Sequence, residues 1–155
     1  MKNEFKVVEL PNGCIFVGKR EINYTSLIFN EFNLILIPVF VFFFSFELLL
    51  IILVVNYLCY QLYIVEERLM FLSNFGIQIE TVSLRGATSY KSIPINNIES
   101  LLINEAFLAQ EIIFYLLIIL KDSKDIILPF KNVRLKIDNL RLIYNTFNNT
   151  FKLDN

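Results

Sequence analysis

The distribution of apolar and polar residues divides the chain into one long apolar run and a region of shorter, interrupted segments. The run covers residues 34–65 and contains a single carboxylate, Glu47, and no lysine or arginine. A helix needs about 20 consecutive apolar residues to cross the hydrocarbon core of a bilayer. The pattern therefore predicts a membrane-embedded segment.

The run is longer than one straight crossing requires, which leaves two arrangements. As a helix it would extend roughly 48 Å, against a hydrocarbon core of about 30 Å. One long helix could tilt, or the chain could turn near Glu47 and form a helical hairpin over residues 32–65. We favour the hairpin, because a carboxylate at a turn can reach water, whereas a carboxylate deep in lipid is costly. Glu47 and Asn56 are then the polar residues of the membrane segment, as a turn carboxylate and a helix–helix hydrogen-bonding group.

The residues after the run form short segments typical of β-strands, followed by one helical pattern. Residues 77–84 begin by alternating between apolar and polar positions, and residues 111–120 are apolar on both faces. From Val133 the apolar residues recur at steps of three and four, which predicts an amphipathic C-terminal helix. The predicted fold class is therefore an α+β membrane protein, with a transmembrane helical hairpin followed by a small PH-like β-sandwich and a C-terminal helix.

This pattern predicts three regions. Residues 1–31 are an N-terminal cytoplasmic or interfacial segment, residues 32–65 are the membrane-embedded hairpin, and residues 66–155 are the sandwich domain. A hairpin places both of its flanks on the same side of the membrane.

Composition narrows the classes of function. The net charge is −1, and residues 66–155 hold ten basic and ten acidic side chains, which argues against a nucleic-acid partner. The chain has no histidine, which excludes histidine-based acid–base pairs and Ser-His-Asp triads. Its two cysteines, Cys14 and Cys59, lie far apart and suggest neither a metal site nor a disulfide framework. We predict no cofactor, no metal and no catalytic residue, since a glycine-rich phosphate loop and a DxD pair are also missing.

Several short motifs in the second half of the chain resemble the PIG-H family, the H subunit of phosphatidylinositol N-acetylglucosaminyltransferase. Residues 76–78 read GIQ, residues 103–106 read INEA, and residues 112–116 read IIFYL, all in the order found in that family. Further similarities are the following: EERL at 66–69, LKD at 120–122, PF at 129–130, and RL and LIY at 134–135 and 142–144. The resemblance covers about residues 66–147, so residues 66–155 are identified as a PIG-H domain.

The resemblance implies a non-catalytic subunit of the complex that transfers N-acetylglucosamine from UDP-GlcNAc to phosphatidylinositol, the first step of GPI-anchor biosynthesis. Its partners would be the catalytic glycosyltransferase subunit (PIG-A type), other subunits of the complex, and membrane lipid. The location would be the endoplasmic reticulum membrane, with the soluble domain on the cytoplasmic face. The protein would anchor and scaffold the catalytic subunit.

Five residues near the INEA motif are candidate partner contacts: Asn104, Glu105, Phe107, Phe114 and Tyr115. Asn104 and Glu105 could instead satisfy backbone groups at a strand end. The strand at 111–120, apolar on both faces, is either a central strand or a strand with one face docked on a partner.

A second interpretation makes the chain a stand-alone, membrane-anchored module whose PH-like domain binds lipid headgroups. It rests on four basic residues near the last helix: Lys131, Arg134, Lys136 and Arg141. They form either a solvated helix face or a contact to anionic headgroups.

Overall fold

The computed structural model describes four stretches of the chain, residues 3–21, 63–108, 111–121 and 126–151. It also describes five separate positions: Leu50, Val54, Tyr57, Leu58 and Gln61. The chain divides into two compact units, of which the first comprises residues 1–21, 64–82 and 88–155.

Five strands of the described chain form one sheet, in which neighbours in chain order are also hydrogen-bonded neighbours. They are β1 (Asn3–Leu10), β2 (Gly13–Arg20), β3 (Ile64–Leu72), β4 (Gly76–Ser83) and β5 (Thr88–Pro94). β2 and β3 pair antiparallel from Gly13 opposite Leu72 to Lys19 opposite Glu66, although residues 21–63 separate them. At Gly13 the two strands approach so closely that a Cβ atom would lie 1.9 Å from the Phe71 carbonyl oxygen, so only glycine fits there.

Three strands form a second sheet in the order β6, β7, β8. These strands are β6 (Ile98–Leu108), β7 (Glu111–Leu120) and β8 (Ile126–Ile127). A short 3-10 helix (Ile95–Asn97) precedes them, and the helix α1 (Ile137–Phe151) follows them. β6 and β7 form a long antiparallel hairpin with a register shift between Ile98 and Ser100.

The hydrophobic core takes side chains from both sheets, the loop after β8 and α1. On β2, every second residue points inward, and Phe16 is fully buried. Phe16 meets Phe71 of β3 edge to face at 5.3 Å between ring centroids, and Phe71 meets Phe147 of α1 at 5.6 Å. Aromatic side chains thus connect the five-stranded sheet to the helix.

The predicted fold class is wrong. The described chain is mostly antiparallel β-sheet with one C-terminal helix, and none of its described helices has the length and apolarity of a bilayer crossing. Hydropathy alone does not distinguish a membrane helix from a paired strand at the end of the run, because both accept continuous apolar residues. Residues 64 and 65, at the end of the apolar run, belong to β3.

Most of the predicted hairpin, including Glu47 and Asn56, lies outside the described residues, and the predicted domain boundaries stay a prediction. The second compact unit comprises residues 22–63 and 83–87. Its described residues include a turn in which the Gly86 N–H donates to the Ser83 carbonyl oxygen, and the five separate positions, which are helical.

Candidate partner-binding site

The β6–β7 hairpin carries its pairing beyond the last core residues of the two strands. Leu101 and Leu116 are buried, whereas the hairpin arm, defined as residues 104–108 and 111–115, has no buried residue. Pairing continues along this arm to Leu108 opposite Glu111. The hydrogen-bonded ladder therefore holds apolar side chains in place where the core no longer covers them.

One face of the arm continues the core-facing side of the hairpin. Directly opposite residues share a face, and every second residue along a strand returns to it. Beyond Ile103 and Leu116, this face carries two cross-strand pairs: Glu105 with Phe114, and Phe107 with Ile112. The exposed fractions are 79% for Phe107, 55% for Ile112 and 36% for Phe114. The result is an apolar patch beside one exposed carboxylate.

The opposite face of the arm contains a local polar network. The Asn104 side-chain amide donates to the Tyr115 hydroxyl oxygen at 3.0 Å, directly across the two strands. The Glu105 backbone N–H donates to Asn104 Oδ1 at 2.9 Å. The nitrogen and the oxygen of the Asn104 side-chain amide therefore both have hydrogen-bond partners within the hairpin. This geometry agrees with the alternative in which Asn104 satisfies a backbone group.

All five residues predicted as partner contacts lie on the hairpin arm. Three of them share the apolar face, and Asn104 and Tyr115 share the other face. Sequence reasoning missed Ile112, which completes the patch opposite Phe107. The pattern that could have indicated Ile112 is the strand at 111–120, which is apolar on both faces although a small sheet domain usually has one face in contact with water.

A different cluster organises the loop between β8 and α1. Glu67 of β3 is only 3% exposed, and it accepts a hydrogen bond from the Asn132 side-chain amide at 2.7 Å and longer bonds from the Asn132 N–H. Burial raises the pKa of the Glu67 carboxyl, and the hydrogen bonds from Asn132 oppose this effect. On the same strand, Arg68 bridges Glu66 and Glu80.

This loop contains most of the basic residues predicted on the helix face. Lys131, Arg134 and Lys136 precede α1, and only Arg141 lies within it. The Lys136 carbonyl oxygen accepts hydrogen bonds from the N–H groups of Asn139 and Leu140, so the first helical residue follows Lys136. The prediction of a helix from Val133 is therefore too early, and the interpretation as a solvated helix face does not apply to three of the four residues.

Part of the chain matches a known protein family. Residues 68–131 match the family model described as PIG-H, the GPI-GlcNAc transferase complex component. The H subunit of the human phosphatidylinositol N-acetylglucosaminyltransferase is 28% identical over 85 residues, which cover 51% of this chain and 45% of the human protein. The chain thus matches less than half the length of that relative. No solved structure matches the chain. The resemblance predicted from the motifs is confirmed, and the matched residues include the whole hairpin arm.

Proposed function

We propose, from the PIG-H family match over residues 68–131, that this protein is a non-catalytic subunit of a GPI-GlcNAc transferase complex. That complex transfers N-acetylglucosamine from UDP-GlcNAc to phosphatidylinositol at the endoplasmic reticulum, as the first step of GPI-anchor biosynthesis. The protein binds the catalytic glycosyltransferase subunit, of the PIG-A type, and holds it at the cytoplasmic face of the membrane beside its lipid acceptor.

The observation that supports this role is the exposed apolar patch on the hairpin arm. Phe107 is 79% exposed although its backbone is fixed in a paired strand. An aromatic side chain on a rigid strand loses little conformational entropy when a partner covers it, so it is suited to be a binding anchor. Glu105 on the same face contributes selectivity for a partner surface with a basic residue.

Scaffolding has a simple physical benefit for this reaction. When the catalytic enzyme is held at the membrane, it meets its lipid acceptor at a high effective concentration, without any new contact between enzyme and substrate. The protein then needs a partner surface and a membrane location, and it needs no catalytic residue of its own.

The test is recovery of the catalytic glycosyltransferase subunit with the full chain from detergent-solubilised membranes. We expect Phe107→Asp to reduce recovery of this subunit per molecule of bait. Loss of a central apolar anchor costs about 2 kcal/mol or more, which corresponds to roughly a 30-fold weaker complex. Quantitative mass spectrometry of the recovered glycosyltransferase measures the effect.

Phe75 provides a matched control, because it is a phenylalanine of nearly equal exposure, 77%, in the turn between β3 and β4. Phe75→Asp makes the same chemical change away from the arm and should leave recovery unchanged. Equal recovery with Phe107→Asp and the unmodified chain would remove the arm from the interface. Absence of any glycosyltransferase from the unmodified bait would contradict the scaffold role itself.

A further inference from the structure

The loop between β8 and α1 packs across one end of the five-stranded sheet. A Cβ atom on Gly18 of β2 would lie 3.0 Å from the Phe130 ring and 3.2 Å from Val133, which shows how closely the loop covers this strand. Asn132 is bonded to Glu67 of β3, and the Asn3 side-chain amide of β1 donates to the Arg134 carbonyl oxygen. The loop therefore has contacts with three neighbouring strands, which fix its position.

These contacts turn the basic side chains of the loop outward. Residues 133–136 alternate between buried and exposed, so Val133 and Leu135 point into the core while Arg134 and Lys136 point to solvent. Lys131 is exposed as well. None of these three side chains forms an ion pair with a described acidic residue. We refer to Lys131, Arg134 and Lys136 as the basic loop.

The basic loop lies at the end of the sheet where β2 ends and β3 begins. β2 ends at Arg20, β3 begins at Ile64, and Lys19 is paired with Glu66, so both ends of the intervening segment are covalently joined to the sheet here. Gly18 and Glu67, which the loop contacts, form the next pair along the same ladder. Three exposed cations thus lie beside the end of β2 and the start of β3, and the sequence that joins these two strands includes an apolar stretch, residues 34–63, without lysine or arginine.

We propose that the basic loop rests on the surface of an anionic lipid bilayer and orients the β-sheet unit there. Lipid phosphates supply a plane of negative charge, and basic groups close to such a surface are attracted to it. A nucleic acid is disfavoured as the ligand because the whole chain carries a net charge of −1 and this basic surface is small. The inference does not depend on the proposed protein partner, since it concerns a different surface from the hairpin arm.

The experiment compares binding of the full chain, kept soluble with a minimal amount of detergent, to two kinds of vesicle. One kind is phosphatidylcholine alone, and the other contains phosphatidylcholine with phosphatidylinositol. We expect the unmodified chain to prefer the anionic vesicles, and the triple variant Lys131→Gln, Arg134→Gln, Lys136→Gln to lose this preference by roughly 100-fold. Binding to the neutral vesicles should be equal for the two proteins. Co-flotation on a density gradient measures both quantities.

A matched control removes the same charge at other exposed positions that form no ion pair with a described acidic residue: Arg85→Gln, Lys91→Gln and Lys121→Gln. This control variant should keep most of the preference for anionic vesicles. A higher salt concentration should weaken that preference in both the unmodified chain and the control variant. Equal thermal unfolding of both triple variants checks that the fold is intact.

Several results would overturn the proposal. They are an unmodified chain without any preference for anionic vesicles, a basic-loop variant that keeps the preference, and a control variant that loses it to the same extent. Full competition by millimolar inorganic phosphate would assign the loop to a soluble phosphate instead of a surface. Tighter binding to a duplex oligonucleotide than to vesicles, lost in the basic-loop variant, would assign it to nucleic acid.

Discussion

At the scale of single residues, Glu67 shows how a buried charge can position a loop. Its carboxylate is nearly inaccessible to water and binds the side chain and the backbone N–H of Asn132. Burial without these donors would strongly disfavour the ionised form. Glu67 therefore connects the loop after β8 to β3 by hydrogen bonds. The free energy of burying its carboxyl depends on pH.

Because the pKa of Glu67 is raised in the folded state, the folded protein binds this proton more tightly than the unfolded chain does. Its contribution to stability is present below the ordinary pKa of 4.5 and is lost as pH rises through the raised pKa. We therefore expect the difference in free energy of unfolding, Glu67→Gln minus unmodified, to increase with pH above 4.5. Urea unfolding at a series of pH values measures this difference.

Glu99→Gln is the control for this prediction, since it makes the same change at an exposed position on β6. Its curve reports the effect of removing one exposed carboxylate, and the Glu67→Gln curve is compared with it. A flat curve for Glu67→Gln would mean that this carboxyl titrates alike in the folded and unfolded chains.

At the scale of secondary-structure elements, α1 is joined to the five-stranded sheet by ring contacts. Phe71 of β3 contacts Phe16 of β2 and both Phe147 and Phe151 of α1, all at centroid distances below 6 Å. Phe16, Phe71 and Phe147 are at most 1% exposed. The helix is therefore held by edge-to-face aromatic packing more than by its own propensity, since its last two turns contain asparagine, threonine and phenylalanine.

A double-mutant cycle tests this coupling between elements. We expect Phe71→Leu and Phe147→Leu each to destabilise the protein, with a coupling energy of about 0.5–1.5 kcal/mol, because the two rings interact directly. Equilibrium urea unfolding of the two single variants and the double variant gives the value. Phe71→Leu combined with Phe114→Leu is the control, since Phe114 lies on the hairpin arm. Additive effects in the Phe71 and Phe147 cycle would show that the ring contact contributes little beyond burial.

At the scale of the whole molecule, the first 20 residues complete a sheet whose other strands begin at residue 64. β2 covers one edge of β3 and contributes Phe16 to the core, so these residues are part of the fold although they precede the apolar run. Removing them would leave a long, unpaired edge on β3 and open the aromatic cluster.

We therefore expect the fragment 64–155 to lack a cooperative unfolding transition. A chain in which a short glycine- and asparagine-containing turn replaces residues 22–62 should instead unfold cooperatively, because the paired ends of β2 and β3 can be joined by a hairpin loop. Circular dichroism during thermal denaturation distinguishes the two. A fragment that folds as well as the joined chain would show that β1 and β2 are dispensable and would support a domain boundary at residue 66.

Much of the second half of the fold was accessible to local pattern reasoning. β7 occupies the predicted residues Glu111–Leu120. β5 is an edge strand that ends at Pro94, as predicted, because proline has no backbone N–H to donate to a neighbouring strand. The five candidate contacts were chosen from residues 103–116, and alternation along the strand separates Phe114 from Tyr115. Which residues share a face across the hairpin requires the pairing of Asn104 with Tyr115 and Glu105 with Phe114, and a single strand does not contain its register.

The sequence by itself indicated several of the strands, among them residues 111–120, and a C-terminal helix, and its motifs indicated the resemblance to the PIG-H family. Periodicity and motifs are local properties, so a single chain displays them directly. Only the tertiary structure decided that β2 pairs with β3, that the hairpin arm leaves Phe107 uncovered, and that the basic loop lies beside the end of β2 and the start of β3. These features depend on contacts between distant residues, whose free energy exists only once the chain has brought the elements together.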